Sequence, residues 1–247
     1  MDTRTIRRRV EEVAMEIPRF PVTPHLPGSN MQGGADVWAE LADVEALRTH
    51  PRVLIEEKID GANVGIHYDG IGDLTVRNRD HHLKKGYQKK ETPSKLQFRP
   101  LWGWVYDHRK AFRHLTEALD GFTPVVYGEW LYAEHTIAYD HLPDLFIGFD
   151  IMDMHDRQFL DPWVARDLLA DAGFELPPRL NGDLDGNIHG IDLWPPPWGA
   201  PGSKREGVYV KAGDGRHLTH RAKYVRPGFQ SREDFTTTEL RKNRVAK

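Results

Sequence analysis

The segment around Lys58 constrains the fold more than any other part of the chain. In the run Glu56-Glu57-Lys58-Ile59-Asp60-Gly61-Ala62-Asn63, a lysine framed by carboxylates is followed by glycine and a short amide, and apolar residues lie on both sides. This pattern predicts two strands joined by a turn, with the amine at the mouth of the turn. A lysine amine becomes a nucleophile only where burial or a neighbouring cation lowers its pKa. The segment alone therefore leaves open a solvated charged loop and a reactive amine.

Composition narrows the classes of protein that need to be considered. The chain has 247 residues, a formal net charge of −3 and no cysteine. The length fits one large or two small domains, and the charge excludes a simple basic nucleic-acid coat protein. The lack of cysteine excludes disulfides, zinc–thiolate sites and a thiol nucleophile. No apolar run approaches the roughly 20 residues that span a bilayer, and the basic start lacks the apolar core of a signal peptide. We therefore expect a soluble, cytoplasmic protein without a membrane partner.

Hydrophobic periodicity predicts a single α+β domain over residues 1–247. The predicted helices are 3–17, 100–119, 161–172 and about 231–244, the last within a short C-terminal helical segment at 231–247. The predicted strands are two or three between 53 and 79, and one each at 124–130, 145–151, 207–211 and 218–225. The predicted loops are the Pro-rich stretch 18–34, inside an N-terminal region 1–50, and residues 177–203. No internal repeat and no long linker divides the chain.

Charged residues embedded in the predicted strands are the strongest chemical signal. A strand interior normally excludes charge, because burying an unpaired ion costs several kcal/mol. The residues that break this pattern are Arg77, Arg79, Glu129, Glu206, Lys211, Arg221 and Lys223. Each alone is compatible with a strand-edge residue that faces water. Together with Lys58 they supply an amine, two carboxylates and several further cations, a set that suits phosphoryl chemistry with a divalent metal.

The order of these residues carries a resemblance to a known family. The segments are Lys58-Ile59-Asp60-Gly61-Ala62-Asn63, Arg77, Tyr127-Gly128-Glu129, Phe149-Asp150-Ile151, Glu206 to Lys211, and Arg221-Ala222-Lys223. They resemble the successive motifs of the covalent nucleotidyltransferases. The Asn after Gly-Ala and the Phe-Asp-Ile segment favour the ATP-dependent RNA ligases, particularly the end-sealing phage and bacterial type. The resemblance covers roughly residues 50 to 230. It implies a ligase adenylylation domain, an α+β nucleotidyltransferase fold of antiparallel sheets flanked by helices.

The resemblance also implies catalytic and metal-binding roles. Lys58 would attack the α-phosphate of ATP, expel pyrophosphate and hold AMP through a phosphoramidate bond. Lys211 and Lys223 would stabilise the charge that develops on the α-phosphate. Glu129 and Glu206 would bind Mg²⁺ or Mn²⁺.

The same resemblance implies a set of nucleotide-binding residues. The set is Glu57, Asp60, Gly61, Asn63, Arg77, Glu129, Phe149, Glu206 and Arg221. Asp60 would orient the ribose and hold the nucleophile loop, and Phe149 would stack on the adenine unless it is an ordinary core residue. Arg221 stands where family members often have lysine, so its role is the least defined.

We therefore expect an ATP-dependent RNA ligase that joins 3′-hydroxyl and 5′-phosphate ends through a lysyl-AMP intermediate. Its partners would be ATP and RNA ends, including those of a nicked duplex, and sealing could need an accessory repair protein or domain. A DNA ligase or a capping-type nucleotidyltransferase is the nearest alternative, disfavoured because only about twenty residues follow the last motif and no oligonucleotide-binding barrel fits there. A nucleotide- or nucleic-acid-binding module that seals nothing is the second alternative, but it would have no use for a nucleophilic lysine.

Overall fold

The computed structural model describes residues 16–31, 33–69, 74–84, 93–192, 194–230 and 240–246. The strands are β1 (Leu54–Lys58), β2 (Ala62–Tyr68), β3 (Leu74–Asn78), β4 (Pro124–Trp130), β5 (Phe146–Asp153), β6 (Gly207–Gly213) and β7 (Leu218–Val225). The helices are α1 (Leu41–Thr49), α2 (Pro93–Leu96), α3 (Leu101–Asp107), α4 (Arg109–Ala118), α5 (Pro162–Asp171) and α6 (Leu184–His189). The predicted α+β composition and all the predicted strands are confirmed. No helix within the described ranges is long and apolar enough to cross a bilayer.

Two antiparallel sheets organise these elements. One has the strand order β1-β6-β7, and the other has the order β3-β2-β4-β5. The consecutive strands β1 and β2 belong to different sheets, so residues 59–61 connect one sheet to the other. Lys58 at the end of β1 and Asn63 near the start of β2 therefore lie at the junction of the sheets.

Helices cover one face of each sheet. Val64 and Ile66 of β2 pack in one core cluster with Phe112 and Leu115 of α4. Because successive side chains of a strand point to opposite faces, Asn63 points away from these helices. A second core cluster packs α1 and α6 against the three-stranded sheet. The face of the four-stranded sheet that carries Asn63 is consequently available for polar residues.

Helix α5 begins where the sequence predicts. The Asp161 side chain accepts hydrogen bonds from Trp163 N and Val164 N, and Pro162 occupies the first helical position. Both features favour a helix start, because the cap satisfies free N–H groups and proline has none to lose. The other Asp161 carboxylate oxygen accepts a hydrogen bond from Gly215 N, 2.9 Å away, which ties this helix to the β6–β7 turn.

Three predicted elements differ from the structure. The single helix expected at 100–119 is two helices, α3 and α4, which meet at His108. The predicted loop 177–203 contains the short helix α6, which the Asp183 side chain caps by accepting from Gly186 N. Of the predicted N-terminal helix 3–17, only residues 16 and 17 are described, and they are not helical.

The C-terminal helix prediction is wrong for residues 240–246, and residues 231–239 lie outside the described residues. Lys242 and Val245 instead form β-bridges with Ala133 and Leu142. The buried Asn243 side chain donates hydrogen bonds to Leu131 O and Ala133 O. These tertiary contacts outweigh the helical preference of the local sequence, which is worth only tenths of a kcal/mol per residue.

Candidate active site

The junction of the two sheets brings one amine and two carboxylates together. Lys58 is the last residue of β1, and its Cα pairs with that of Gly207 in β6. Its Nζ lies 2.6 Å from Oε1 of Glu206, the residue immediately before β6. Glu129 in β4 pairs with Asn63 across the other sheet, and its charge also acts on Lys58. The predicted set Lys58, Glu129 and Glu206 thus meets at one place.

The electrostatics of this cluster are dominated by burial. Burial raises the pKa of Glu129 to about 8 and that of Glu206 to about 7, and the charge of Lys58 opposes both shifts. Burial alone would lower the pKa of Lys58, but attraction to Glu206, Tyr209 and Glu129 outweighs it and raises the pKa above its ordinary value. The amine is therefore protonated in this arrangement, so it needs a change in its surroundings before it can act as a nucleophile.

The two glutamates have the chemistry of a divalent-cation site. Oε2 of Glu129 and Oε2 of Glu206 are both buried, and neither makes a hydrogen bond within the part of the chain that the structure describes. Buried carboxylate oxygens without donors suit a hard cation such as Mg²⁺. No group of three or more His, Asp or Glu side chains with metal-binding geometry occurs among the described residues. Such an ion would therefore complete its coordination with water or phosphate oxygens, as Mg²⁺ commonly does.

Asp60 fixes the loop that carries Lys58. Its Oδ2 accepts hydrogen bonds from Thr136 N and Ile137 N, each at 2.7 Å, and its own backbone N–H donates to the Tyr139 hydroxyl at 3.0 Å. Gly61 leaves no room for a side chain, because a Cβ there would lie 2.6 Å from Leu131 Cδ2 and 3.0 Å from Trp130 O. Asp60 thus holds the nucleophile loop, and the structure shows no contact that would assign it to a ribose.

Lys223 approaches the cluster from β7. Its Nζ lies 3.4 Å from Oδ1 of Asp36, which also lies 3.1 Å from Nε2 of the buried His25. Burial, followed by repulsion from Lys58, lowers the pKa of Lys223. Residues 24–26 run along β7, with Lys223 N donating to Pro24 O and Leu26 N donating to Lys223 O. Sequence reasoning missed Asp36, because nothing in the local sequence links residue 36 to residue 223.

A narrow cavity beside Lys58 is lined by two aromatic rings. Phe149 and Tyr209 lie nearly parallel, at 15°, with their centroids 6.4 Å apart. A planar ring stacked between them needs the two rings to lie about 7 Å apart, because carbon atoms pack at about 3.5 Å. A slight movement of the two rings away from each other would therefore make a slot for a base. The sequence analysis singled out Phe149 but missed Tyr209. The available signal was the alternation in Gly207-Val208-Tyr209-Val210, which turns Tyr209 away from the core valines.

Glu57 lies at the wall of the same cavity. Its side chain is fully buried, and Oε2 lies 3.4 Å from Nε of Arg205. Burial raises the pKa of Glu57 to about 7, against the opposing effect of Arg205. Of the predicted nucleotide-binding residues, Glu57, Glu129 and Phe149 thus line one cavity. Asn63 pairs with Glu129 across the sheet, and Glu206 lies beside Lys58 through their ion pair.

Lys211 and Arg221 belong to a second buried cluster, although Lys211 also lines the aromatic cavity beside Phe149. The Lys211 ammonium contacts Glu56 Oε2 at 2.8 Å, Asp150 Oδ1 at 2.9 Å and Phe149 O at 2.9 Å. Its Cα pairs with Leu54, four residues before Lys58 on β1, which corresponds to about 13 Å along the strand. Arg221 pairs with Lys211 in register and points an Nη1 at Asp150 Oδ2, 3.4 Å away. The structure does not bring either side chain to Lys58.

Arg77 also lies apart from Lys58. It occupies β3, the outer strand of the four-stranded sheet, and pairs with Gly65. Its Nη1 donates to Ile17 O at 2.6 Å and its Nε donates to Asn78 O at 3.2 Å. A contact between Arg77 and the nucleotide remains a prediction.

A family model described as RNA ligase matches residues 51–225, which is most of the chain. The chain belongs to the RNA ligase family. The matched region contains every predicted site residue from Glu57 to Lys223, whereas residues 16–50, including Asp36, lie outside it. A search of curated proteins finds no match.

Solved structures of an RNA ligase from Naegleria gruberi share the fold. A lysine-to-alanine variant with ATP and Mn matches with a TM-score of 0.51 at 17% identity, covering 83% of this chain and 61% of that chain. A lysine-to-methionine variant with AMP and Mn matches with a TM-score of 0.51 at 17% identity, covering 84% and 62%. The predicted α+β nucleotidyltransferase fold is confirmed. This chain spans about three-fifths of the length of those proteins.

Proposed function

We propose that this chain is an ATP-dependent RNA ligase that forms a lysyl-AMP intermediate on Lys58. The observation that carries the proposal is the cluster at the sheet junction. It holds an amine 2.6 Å from one buried carboxylate, a second buried carboxylate with a free oxygen, and an aromatic-lined cavity beside them. The family match supports an RNA ligase, and the ATP, AMP and Mn in the Naegleria structures support the nucleotide and the metal.

In the first step, Nζ of Lys58 would form a bond to the α-phosphorus of ATP as the bond to pyrophosphate breaks. The amine must lose its proton for this, whereas Glu206 and Glu129 favour the protonated form. A divalent cation held by the two glutamates would neutralise their charge, which lowers the pKa of the amine and polarises phosphate oxygens. Glu206, at hydrogen-bond distance and with a pKa raised to about 7, is the nearest group that could take the amine proton before the cation binds, and the proton would then pass to solvent.

The surrounding residues would bind and orient the nucleotide. The adenine would enter between Phe149 and Tyr209, where stacking on two rings is favourable for any base. Lys223, whose pKa is lowered first by burial and then by the nearby positive charge of Lys58, would gain a counter-charge from the α-phosphate. Asp60 would keep the lysine loop in place throughout, through its two backbone hydrogen bonds.

The second and third steps would transfer AMP to an RNA 5′-phosphate and then join that end to a 3′-hydroxyl with release of AMP. The preference for RNA rests on the family match. Because the chain spans only part of the length of the Naegleria ligase, sealing could require a further domain or protein, whereas self-adenylylation needs only the cluster described above.

Sealing assays on matched substrates test the substrate. Nicked duplexes that are all RNA, all DNA, or DNA with one ribonucleotide at the 3′-hydroxyl are incubated with the protein, ATP and Mg²⁺ or Mn²⁺. We expect AMP transfer or sealing on the substrates with an RNA 3′ end and little on all DNA. Equal activity on all DNA would contradict the RNA assignment and favour the DNA ligase alternative. A Lys58→Ala protein serves as the control for contaminating ligase.

A further inference from the structure

A second, arginine-lined cleft lies on the same face of the four-stranded sheet as Glu129. It has a volume of about 450 Å³, and the arginines in its lining are Arg19, Arg77 and Arg157. Its apolar walls include Pro21, Met152 and Phe159, and among the described residues Glu16 is the acidic one in the lining. The lining therefore combines a surplus of positive charge with flat apolar surface. This combination suits a phosphate-bearing chain better than a small apolar ligand.

The floor of the cleft is continuous with the candidate active site. Tyr127 and Glu129 pair with Gly65 and Asn63 on β2, so their side chains share one face of the sheet. Arg77 pairs with Gly65 on the next strand. Arg77 is thus two strands across and two residues along from Glu129, a separation of about 12 Å. A polynucleotide whose end lies at Lys58 would reach the cleft within a few nucleotides.

The N-terminal side of the cleft is fastened to the sheet by specific contacts. Arg77 Nη1 donates to Ile17 O at 2.6 Å, and the Tyr127 hydroxyl donates to Pro18 O at 2.7 Å. The Phe20 ring packs against that of Tyr127, with centroids 5.1 Å apart. Residues 16–21 lie outside the region 51–225 that matches the RNA ligase family.

The opposite side of the cleft presents Arg157 from an uncommon backbone conformation. Its φ is 59°, and within the described ranges it is the one non-glycine residue with a positive φ. A long side chain seldom occupies this region, and such conformations occur at binding sites as well as in turns. Arg157 is exposed, and its charge, with that of Arg77 and Arg221, opposes the burial that raises the pKa of Tyr127. The positive charges of these arginines therefore act on the same part of the sheet.

We propose that this cleft binds backbone phosphates of the RNA strand adjacent to the end that is being joined. Arg157 is the principal ligand, because its planar fork matches phosphate oxygens and its side chain is exposed. Arg77 provides additional positive charge, whereas Arg19 already lies 3.3 Å from Asp80 and contributes less. The inference rests on the proposed function for its substrate, but it concerns binding away from Lys58 and is separable from the chemistry.

The test measures RNA binding in the absence of ATP. Binding of a 5′-phosphorylated RNA oligonucleotide is followed by fluorescence anisotropy over a series of salt concentrations. Arg157→Asn removes the guanidinium but keeps a residue that tolerates the left-handed conformation. We expect it to weaken RNA binding about tenfold and to reduce the salt slope by about one. Arg157→Lys should retain most of the affinity, and thermal melting verifies that each variant is folded.

Arg113→Ala is the matched control, because Arg113 is an exposed arginine on α4, against the other face of the sheet. We expect its RNA affinity, and the KM for ATP of every variant, to equal those of the wild type. Unchanged RNA affinity in Arg157→Asn overturns the proposal, as does an equal loss in Arg113→Ala, which would indicate bulk charge only. A raised KM for ATP with intact RNA binding also overturns it, because the cleft would then serve the triphosphate. Failure of the proposed function would show differently, as a folded wild type that forms no AMP adduct.

Discussion

The clusters around Lys58 and Lys211 contain the same kinds of residue but differ in how completely their charges are paired. Each is centred on a lysine of the three-stranded sheet with carboxylates beside it, although Lys211 is buried and Lys58 only partly so. The Lys211 ammonium has three oxygen partners within 2.9 Å, which matches its three N–H donors. Around Lys58, Glu206 and Glu129 each keep a buried oxygen that makes no hydrogen bond within the described ranges. In the first cluster every oxygen of Glu56 and Asp150 lies within ion-pair distance of a lysine or arginine. In the second, two buried carboxylate oxygens have no such partner among the described residues, and a ligand could supply it.

The difference shows that a charged residue in a strand can serve structure or chemistry. How completely its charge is paired with opposite charges distinguishes the two roles. A buried ion pair contributes little net stability, but removal of one partner is costly, since the other charge remains buried. An incomplete cluster is unfavourable in the empty protein and becomes favourable only when a ligand supplies the missing charges. The following predictions test this division, from the largest expected effect to the smallest.

Substitution of Lys211 should damage stability more than any other change in these two clusters. Lys211→Met removes the cation that Glu56 and Asp150 share and leaves each with one arginine, Arg166 and Arg221, so we expect the free energy of unfolding to fall by about 3 kcal/mol. Urea denaturation measures this loss. Lys58→Met is the comparison and should lose much less, because Glu206 and Glu129, with pKa values raised to about 7 and 8, can take up protons instead. Equal losses in the two variants would erase the distinction between the clusters.

Substitution of the two glutamates should damage chemistry and spare the fold. Glu206→Gln or Glu129→Gln should slow self-adenylylation about 100-fold, which corresponds to about 2.7 kcal/mol of lost transition-state stabilisation. Single-turnover kinetics with labelled ATP give the rate, and thermal melting gives the stability. Glu117→Gln, at an exposed position of α4, is the control. Wild-type rates in both site variants would show that these carboxylates do not serve the reaction.

The stability of the metal-free protein should fall as the pH rises from about 5 to 8. Glu129 has an ordinary pKa of 4.5 when unfolded and about 8 when folded, so in this window the native state binds more protons than the unfolded state. Stability then decreases with pH until the folded pKa is passed. Melting temperatures at a series of pH values should show the decline, and Glu129→Gln should reduce it, with the remainder due to Glu57 and Glu206, whose pKa values are raised to about 7. A decline of the same size in Glu129→Gln would assign it to other groups.

The smallest effect concerns the aromatic slot. Tyr209→Leu should raise the KM for ATP a few-fold and leave the rate at saturating ATP nearly unchanged, because one aromatic stacking contact is worth about 0.5–1.5 kcal/mol. Steady-state adenylylation at a series of ATP concentrations measures both quantities. Tyr106→Leu, at an exposed position of α3, is the control. An unchanged KM would remove Tyr209 from the nucleotide site.

Much of the fold could be predicted from the sequence, because alternating apolar residues and the Asp161-Pro162 start are local signals. The positions of Lys58, Glu129 and Glu206 at strand ends could also be predicted from the local sequence. The distance between Lys211 and Lys58 could not be predicted in this way, because it depends on the strand register that places Lys211 opposite Leu54. The contact of Asp36 with Lys223 and the extended conformation of Asn243 likewise depend on partners distant in the chain.

The site of covalent modification tests the account most directly. The protein is incubated with ATP and Mg²⁺ or Mn²⁺, its intact mass is measured, and the modified residue is located by peptide mapping under conditions that preserve the phosphoramidate. We predict one AMP per wild-type chain, attached to Lys58, and none on a folded Lys58→Ala protein. An adduct on Lys211 or Lys223, an adduct that persists in Lys58→Ala, or a folded wild type that stays unmodified with either metal would contradict the account.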